Sequence, residues 1–137
     1  MNVYLETSAL LSWVLEEPDG TRVETALVQA KSWSTSQLTQ AECLRAFRRL
    51  GIQPDQLPQR RFQAVQSRWN LLPVHANLIR QAGQAFPVEP VRTLDAIHLV
   101  SALDLRSALP DLQMISLDYR VRDNATALGF PVLPSSG

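Results

Sequence analysis

Short apolar runs of strand length alternate with helical periods along this chain, and that alternation constrains the fold more than any other feature. Val3-Tyr4-Leu5, a weaker stretch around Trp33, Leu71-Leu72-Val74, Leu112–Leu117 and Phe130–Leu133 read as strands. Between them, helical spacing runs through Ala9–Leu15, Val23–Ala30, a segment opened by Thr39 and closed by Gly51, Leu57–Trp69, Leu78–Phe86, Thr93–Leu103 and Tyr119–Leu128. Thr7 or Ser8 is placed to cap the first helix, and Cys43, Leu44, Phe47 and Leu50 fall on one stripe of the third. Leu94–Leu103 is apolar nearly all round, as in a helix buried on more than one side. Such an order predicts an α/β fold around a mainly parallel sheet of four to five strands. At 137 residues the chain has material for one core, over residues 1–133, with 134–137 as a short flexible tail.

Composition removes several function classes. A single cysteine, Cys43, excludes a disulfide framework within the chain and a multi-thiolate zinc site. The N-terminal residues carry no basic stretch or small-residue cleavage pattern, and no apolar run reaches the roughly 20 residues needed to span a bilayer, so a cytoplasmic location is the expectation. Thirteen basic residues balance thirteen acidic ones, which speaks against nucleic-acid binding through bulk positive charge. Twelve of the thirteen bases are arginine and only Lys31 is lysine. Arginine offers a forked donor suited to phosphate or carboxylate.

Four acids stand where α/β sheets place their chemistry, outside the carboxyl ends of the strands. Glu6 follows the first strand and Asp118 the fourth, while Glu42 and Asp95 fall in the first turns of helices that otherwise read as buried. Clustered carboxylates need a counter-charge, and without a cysteine cluster the natural one is a hard divalent cation such as Mg²⁺ or Mn²⁺. Each acid also has a purely local explanation. Thr39-Gln40-Ala41-Glu42 fits a capping box, Asp95 complements a helix dipole, and Asp118 is an acceptable N-cap. Glu6 has the fewest evident structural duties. His98 reads as a partly buried helix residue, His75 as surface, and Cys43, Trp13, Trp33 and Trp69 as packing.

Tyr4-Leu5-Glu6-Thr7-Ser8-Ala9-Leu10 resembles the opening of PIN-domain proteins. Arg92-Thr93-Leu94-Asp95-Ala96-Ile97-His98-Leu99 is similar to their third acidic motif. Ser116-Leu117-Asp118, with Ala127-Leu128-Gly129-Phe130-Pro131-Val132 after it, is similar to their C-terminal strand–helix–strand. The likeness covers essentially the whole chain, and among PIN proteins the chain resembles the VapC-type toxins. It implies a three-layer α/β/α PIN domain over residues 1–133 and an Mg²⁺- or Mn²⁺-dependent endoribonuclease. It also implies a homodimer and a cognate VapB-type antitoxin that blocks the site. Carried over position by position, the catalytic acids are Glu6, Glu42, Asp95 and Asp118. Glu6, Asp95 and Asp118 would be the metal ligands, with Ser8 and Ser116 supporting and Asp123 a further candidate.

One departure stands out: Glu6 takes the place of the usual Asp. A longer side chain can still reach a metal, or it can misplace it, and the latter would leave a binding module with weak or lost catalysis inside a repressor complex. A receiver-like phosphoacceptor domain also gathers acids at strand ends, but it needs a lysine on a late strand and Lys31 is early. A nuclease acting on DNA or in ribosome processing is a third reading. Arg45, Arg48 and Arg49 beyond Glu42, and Arg60, Arg61 and Arg68 on the next helix, are candidates for gripping RNA phosphates or antitoxin acids, or else form a solvated face. If the four acids converge on one site, thirteen basic residues face nine remaining acids, so neutrality overall is compatible with an RNA-facing surface.

Overall fold

The computed structural model describes residues 1–135. Twelve elements follow the expected alternation: β1 (Asn2–Leu5), α1 (Thr7–Val14), α2 (Gly20–Gln29), β2 (Ser32–Ser36), α3 (Gln37–Leu50), α4 (Leu57–Gln66), β3 (Asn70–Leu72), α5 (Ala76–Ala82), α6 (Thr93–Arg106), β4 (Gln113–Ile115), α7 (Tyr119–Ala127) and β5 (Val132–Leu133). The strands form one five-stranded sheet in the order β3-β2-β1-β4-β5, every pairing parallel. The chain winds outward from β1 to β3 and then returns to the other side of β1 for β4. Between β1 and β4 lies the topological switch point, where open α/β sheets leave a crevice.

Alternation along the central strands splits the core in two. Val3 and Leu5 of β1 and Ile115 of β4 face one layer, with Ala9, Leu10, Val14, Val23, Leu27, Cys43, Phe47, Phe62 and Val65 from α1–α4. Tyr4 and Met114 face the other, with Leu99 and Ala102 of α6 and Val121 and Ala125 of α7. Helices cover both faces, giving the three-layer α/β/α arrangement.

The structure corrects several local expectations. α3 begins at Gln37, and its cap is Ser36, whose hydroxyl accepts from Leu38 N. Thr39 is buried inside the helix, so the capping box with Glu42 does not form; its hydroxyl instead pairs with Thr35 Oγ1 at 2.7 Å. Leu44 and Leu50 are exposed, leaving Cys43, Ala46 and Phe47 as the buried stripe. β2 is polar in sequence yet buried from Trp33 to Ser36, because it lies between β1 and β3 and Thr35 donates to Leu5 O at 2.6 Å. β3 stops at Leu72, before Val74, and α5 ends at Ala82, short of Phe86. Gly51 closes α3 in the left-handed region at φ 70°, as its position after the helix requires. In the C-terminal stretch, Pro134 O accepts from Arg122 and Ser135 O from Arg22; residues 136 and 137 lie outside the described residues.

Candidate active site

All four sequence-predicted acids lie at the carboxyl edge of the sheet, around the β1–β4 switch point. Glu6 directly follows β1, with its backbone N–H donating to Ile115 O of β4 at 2.9 Å. Its side chain has a structural duty that the sequence did not suggest. Glu6, not Thr7 or Ser8, is the N-cap of α1, accepting from Ser8 N at 2.9 Å. The other carboxylate oxygen accepts from Ser8 Oγ and from Ser116 Oγ, each at 2.5 Å. Ser8 Oγ in turn accepts from the backbone N–H groups of Leu117 and Asp118 at 2.9 and 3.1 Å. The two supporting serines therefore lock the end of β1 to the segment after β4.

Asp118 caps α7. Its Oδ1 accepts from Arg120 N and Val121 N at 2.9 and 3.3 Å, which leaves Oδ2 facing the site. Asp95 sits in the first turn of α6 and is 7% exposed. Arg92, at the N-cap position of the same helix, joins these two acids. Its Nε donates to Asp95 Oδ2 and its Nη2 to Asp118 Oδ2, both at 2.9 Å. Repelling carboxylates need a counter-charge, and here one guanidinium supplies it.

Glu42 lies in the second turn of α3, not the first, and its carboxylate belongs to a separate network. Its Oε1 accepts from Thr7 Oγ1 at 2.6 Å and from Nε2 of His98 at 2.7 Å. His98 is 1% exposed, and its Nδ1 lies 2.8 Å from the Tyr4 hydroxyl. With Nε2–H donating to the Glu42 carboxylate, Nδ1 accepts from the Tyr4 hydroxyl. Burial pushes the Tyr4 phenol far up, helped by the Glu6 charge, so Tyr4 stays a proton donor. Burial alone would also raise Glu42. Hydrogen bonds from His98 and Thr7 and the charges at His98 and Arg92 outweigh it, holding the carboxyl below its ordinary value of 4.5.

Sequence reasoning missed two residues. His98 reads as a helix residue among apolar neighbours, and its partner one sheet layer away is invisible in linear sequence. Arg92 stands three residues before Asp95, an i,i+3 spacing that was available as a signal. Asp123 is exposed on α7. Arg45, Arg48 and Arg49 are exposed along α3. Arg61 and Arg68 have structural work instead: Arg61 pairs with Glu16 at 2.6 Å, and Arg68 lies over the Trp33 ring at 4.0 Å.

The donor set suits a hard divalent cation, being carboxylate oxygen with no thiolate nearby except the buried, proton-retaining Cys43. Asp95 and Asp118 already present one oxygen each to a shared positive group. In the arrangement observed, no three acidic, histidine or cysteine side chains among the described residues are grouped to hold one ion. Arg92 engages two of the acids, the serines hold Glu6, and His98 and Thr7 hold Glu42. No helix among the described residues is long and apolar enough to cross a membrane.

Comparison with known proteins agrees with this geometry. The PIN domain family matches residues 3–127. Ribonuclease VapC35 of Mycobacterium tuberculosis is 33% identical over 133 residues, covering 96% of this chain and 95% of the relative. Ribonuclease VapC47 of the same species is 30% identical over 132 residues, 93% of each. Among solved structures, a toxin–antitoxin complex from Klebsiella pneumoniae superposes with a TM-score of 0.67 at 15% identity, covering 98% of this chain and 99% of that one. VapBC2 from Rickettsia felis, bound to a DNA fragment from its promoter, gives 0.60 at 12% identity, covering 96% and 97%. At these identities the solved structures speak to the fold.

Proposed function

The chain belongs to the PIN-domain family, and on that premise we propose that it is a divalent-metal-dependent endoribonuclease, the toxin of a toxin–antitoxin pair neutralised by a VapB-type antitoxin. The observation that supports this reading is the Asp95–Asp118 pair bridged by Arg92 at the carboxyl edge of the sheet, with Glu6 tied through Ser8 and Ser116 to the segment after β4 that carries Asp118. The ribonuclease names of the full-length relatives support the same substrate class. A cytoplasmic homodimer is part of the proposal.

Asp95, Asp118 and Glu6 would hold Mg²⁺ or Mn²⁺, directly or through water. When bound, the ion supplies Lewis-acid stabilisation of a phosphodiester and an activated water. The protein's own contribution is placement. Asp118 is fixed by the α7 backbone, Asp95 by the first turn of α6, and Glu6 by Ser8 and Ser116. Glu42, kept ionised by His98 and Thr7, is suited to orient a water at the edge of the site. The exposed Arg45, Arg48 and Arg49 are suited to RNA phosphates.

One observation favours a second reading, a PIN domain of weak or lost catalysis acting as a binding module. Glu6 replaces Asp, and both of its oxygens are already engaged with Ser8 and Ser116. Expression in a bacterial host, with and without the gene adjacent to its own, separates the readings. The toxin reading expects growth arrest and new RNA ends, both reversed by co-expression. Unchanged growth with no new RNA ends would reject it.

A further inference from the structure

Arg92 holds a position that the chemistry of the site makes consequential. Its guanidinium bridges two of the four acids, yet the side chain is 61% exposed and, among the described residues, is hydrogen-bonded through those acids. Glu6 and Glu42 are satisfied differently, by serine and threonine hydroxyls and His98. Asp118 commits only Oδ1 to the α7 backbone and offers Oδ2 to Arg92. Asp95, nearly buried, likewise offers Oδ2. The two oxygens a small dication would require are thus already drawn together by a monocation from the same chain.

We propose that Arg92 is the resident counter-ion of the Asp95–Asp118 pair and that a divalent cation enters the site by displacing its guanidinium. The inference rests on the metal-site reading above and adds a competitor within the chain. Arg92 acts by competition: it neutralises the two carboxylates before the metal arrives and so limits how tightly the metal binds. Displacement needs no backbone change, because Arg92 is a surface side chain with rotamer freedom and the acids are fixed from behind by α6 and α7. Exposed ion pairs are weak, each worth at most about a fivefold factor, so the exchange is easily driven by a dication. An arginine that served only to hold the fold would behave oppositely, since its loss would loosen the acids and weaken metal binding.

The test is Mn²⁺ binding by titration calorimetry on the full chain without RNA. Arg92→Ala is expected to bind Mn²⁺ on the order of tenfold more tightly than wild type, through loss of two such pairs. Arg92→Lys, which keeps the charge but not the fork, is expected to fall between them. Arg120→Ala removes a neighbouring cation whose side chain stacks on Tyr119, and should change affinity by less than about twofold, because the effect of a charge that does not touch the acids is screened. Equal or weaker Mn²⁺ binding by Arg92→Ala, or an equal gain from Arg120→Ala, would overturn the exchange. Should Asp95→Asn still abolish binding in that case, the metal site would stand without it. No Mn²⁺ binding by either wild type or Arg92→Ala would overturn both together.

Discussion

Nε2 of His98 on α6 lies 2.7 Å from Oε1 of Glu42 on α3, so the helices on opposite faces of the sheet are joined by a hydrogen bond across its carboxyl edge. The Tyr4 hydroxyl at Nδ1 fixes the ring from the other side. Replacing His98 by Ala would leave a cavity and strip partners from a carboxylate and a buried phenol. The expected cost is about 2–4 kcal/mol in urea unfolding. His98→Gln, which can still donate to Glu42, should recover part of it.

The depressed pKa of Glu42 gives a pH dependence with a definite sign. The carboxyl is held below its ordinary 4.5 in the folded chain, so the unfolded chain binds the proton more readily. The resulting stability is fully present above the unfolded value and is lost as pH falls through the folded one. Glu42→Gln should therefore flatten the stability profile below about pH 5. An unchanged acid limb in urea titrations between about pH 5 and pH 3 would contradict the assignment.

Glu6 combines an N-cap with two serine hydrogen bonds, so its loss should be felt even without a metal. Glu6→Ala is expected to cost about 1–3 kcal/mol of stability, from the lost cap and the unpaired hydroxyls. Glu6→Asp preserves the cap but shortens the reach to Ser116, and should fall between the two. Calorimetric Mn²⁺ titration of Glu6→Gln gives the separate metal test: weaker binding than wild type is expected, and equal binding removes Glu6 from the ligand set.

Gly20 opens α2 against α1, and a Cβ there would stand 2.7 Å from the backbone oxygen of Ser12. Backbone cannot yield as a flexible side chain does. Gly20→Ala should destabilise the fold by about 1–3 kcal/mol, measured by urea unfolding.

Arg48 and Arg49 are exposed in the last turn of α3, on the helix that carries Glu42. Reversing both charges should weaken RNA binding and reduce its salt dependence, as loss of phosphate contacts does. Unchanged affinity and unchanged salt slope would mark them as a solvated face.

How far the sequence discloses this protein differs from feature to feature. The β1 and α6 motifs are legible because apolar runs and acids sit side by side in the chain. The parallel sheet follows from alternation alone. β2 was faint because Ser and Thr rarely fill a buried strand; here Thr35 is satisfied by the Leu5 carbonyl and Thr39, a pairing that exists only after folding. The α3 boundary was misplaced because both Ser36 and Thr39 can cap, and only tertiary packing drew Thr39 inward. Asp118 caps α7 with Oδ1 and meets Arg92 with Oδ2, so the local cap does not exclude a role at the proposed site. His98 and Glu42 are 56 residues apart, and no local pattern announces their contact.

The central claim is that these carboxylates make the chain a metal-dependent ribonuclease, and the most direct measurement is cleavage of RNA by purified protein in Mn²⁺ against chelator, for wild type and Asp95→Asn. The account predicts cleavage by wild type in Mn²⁺ alone, lost by at least about a hundredfold in Asp95→Asn because a charged, nearly buried carboxylate of the site is gone. Equal cleavage by the two proteins, or cleavage undiminished by chelator, would contradict it.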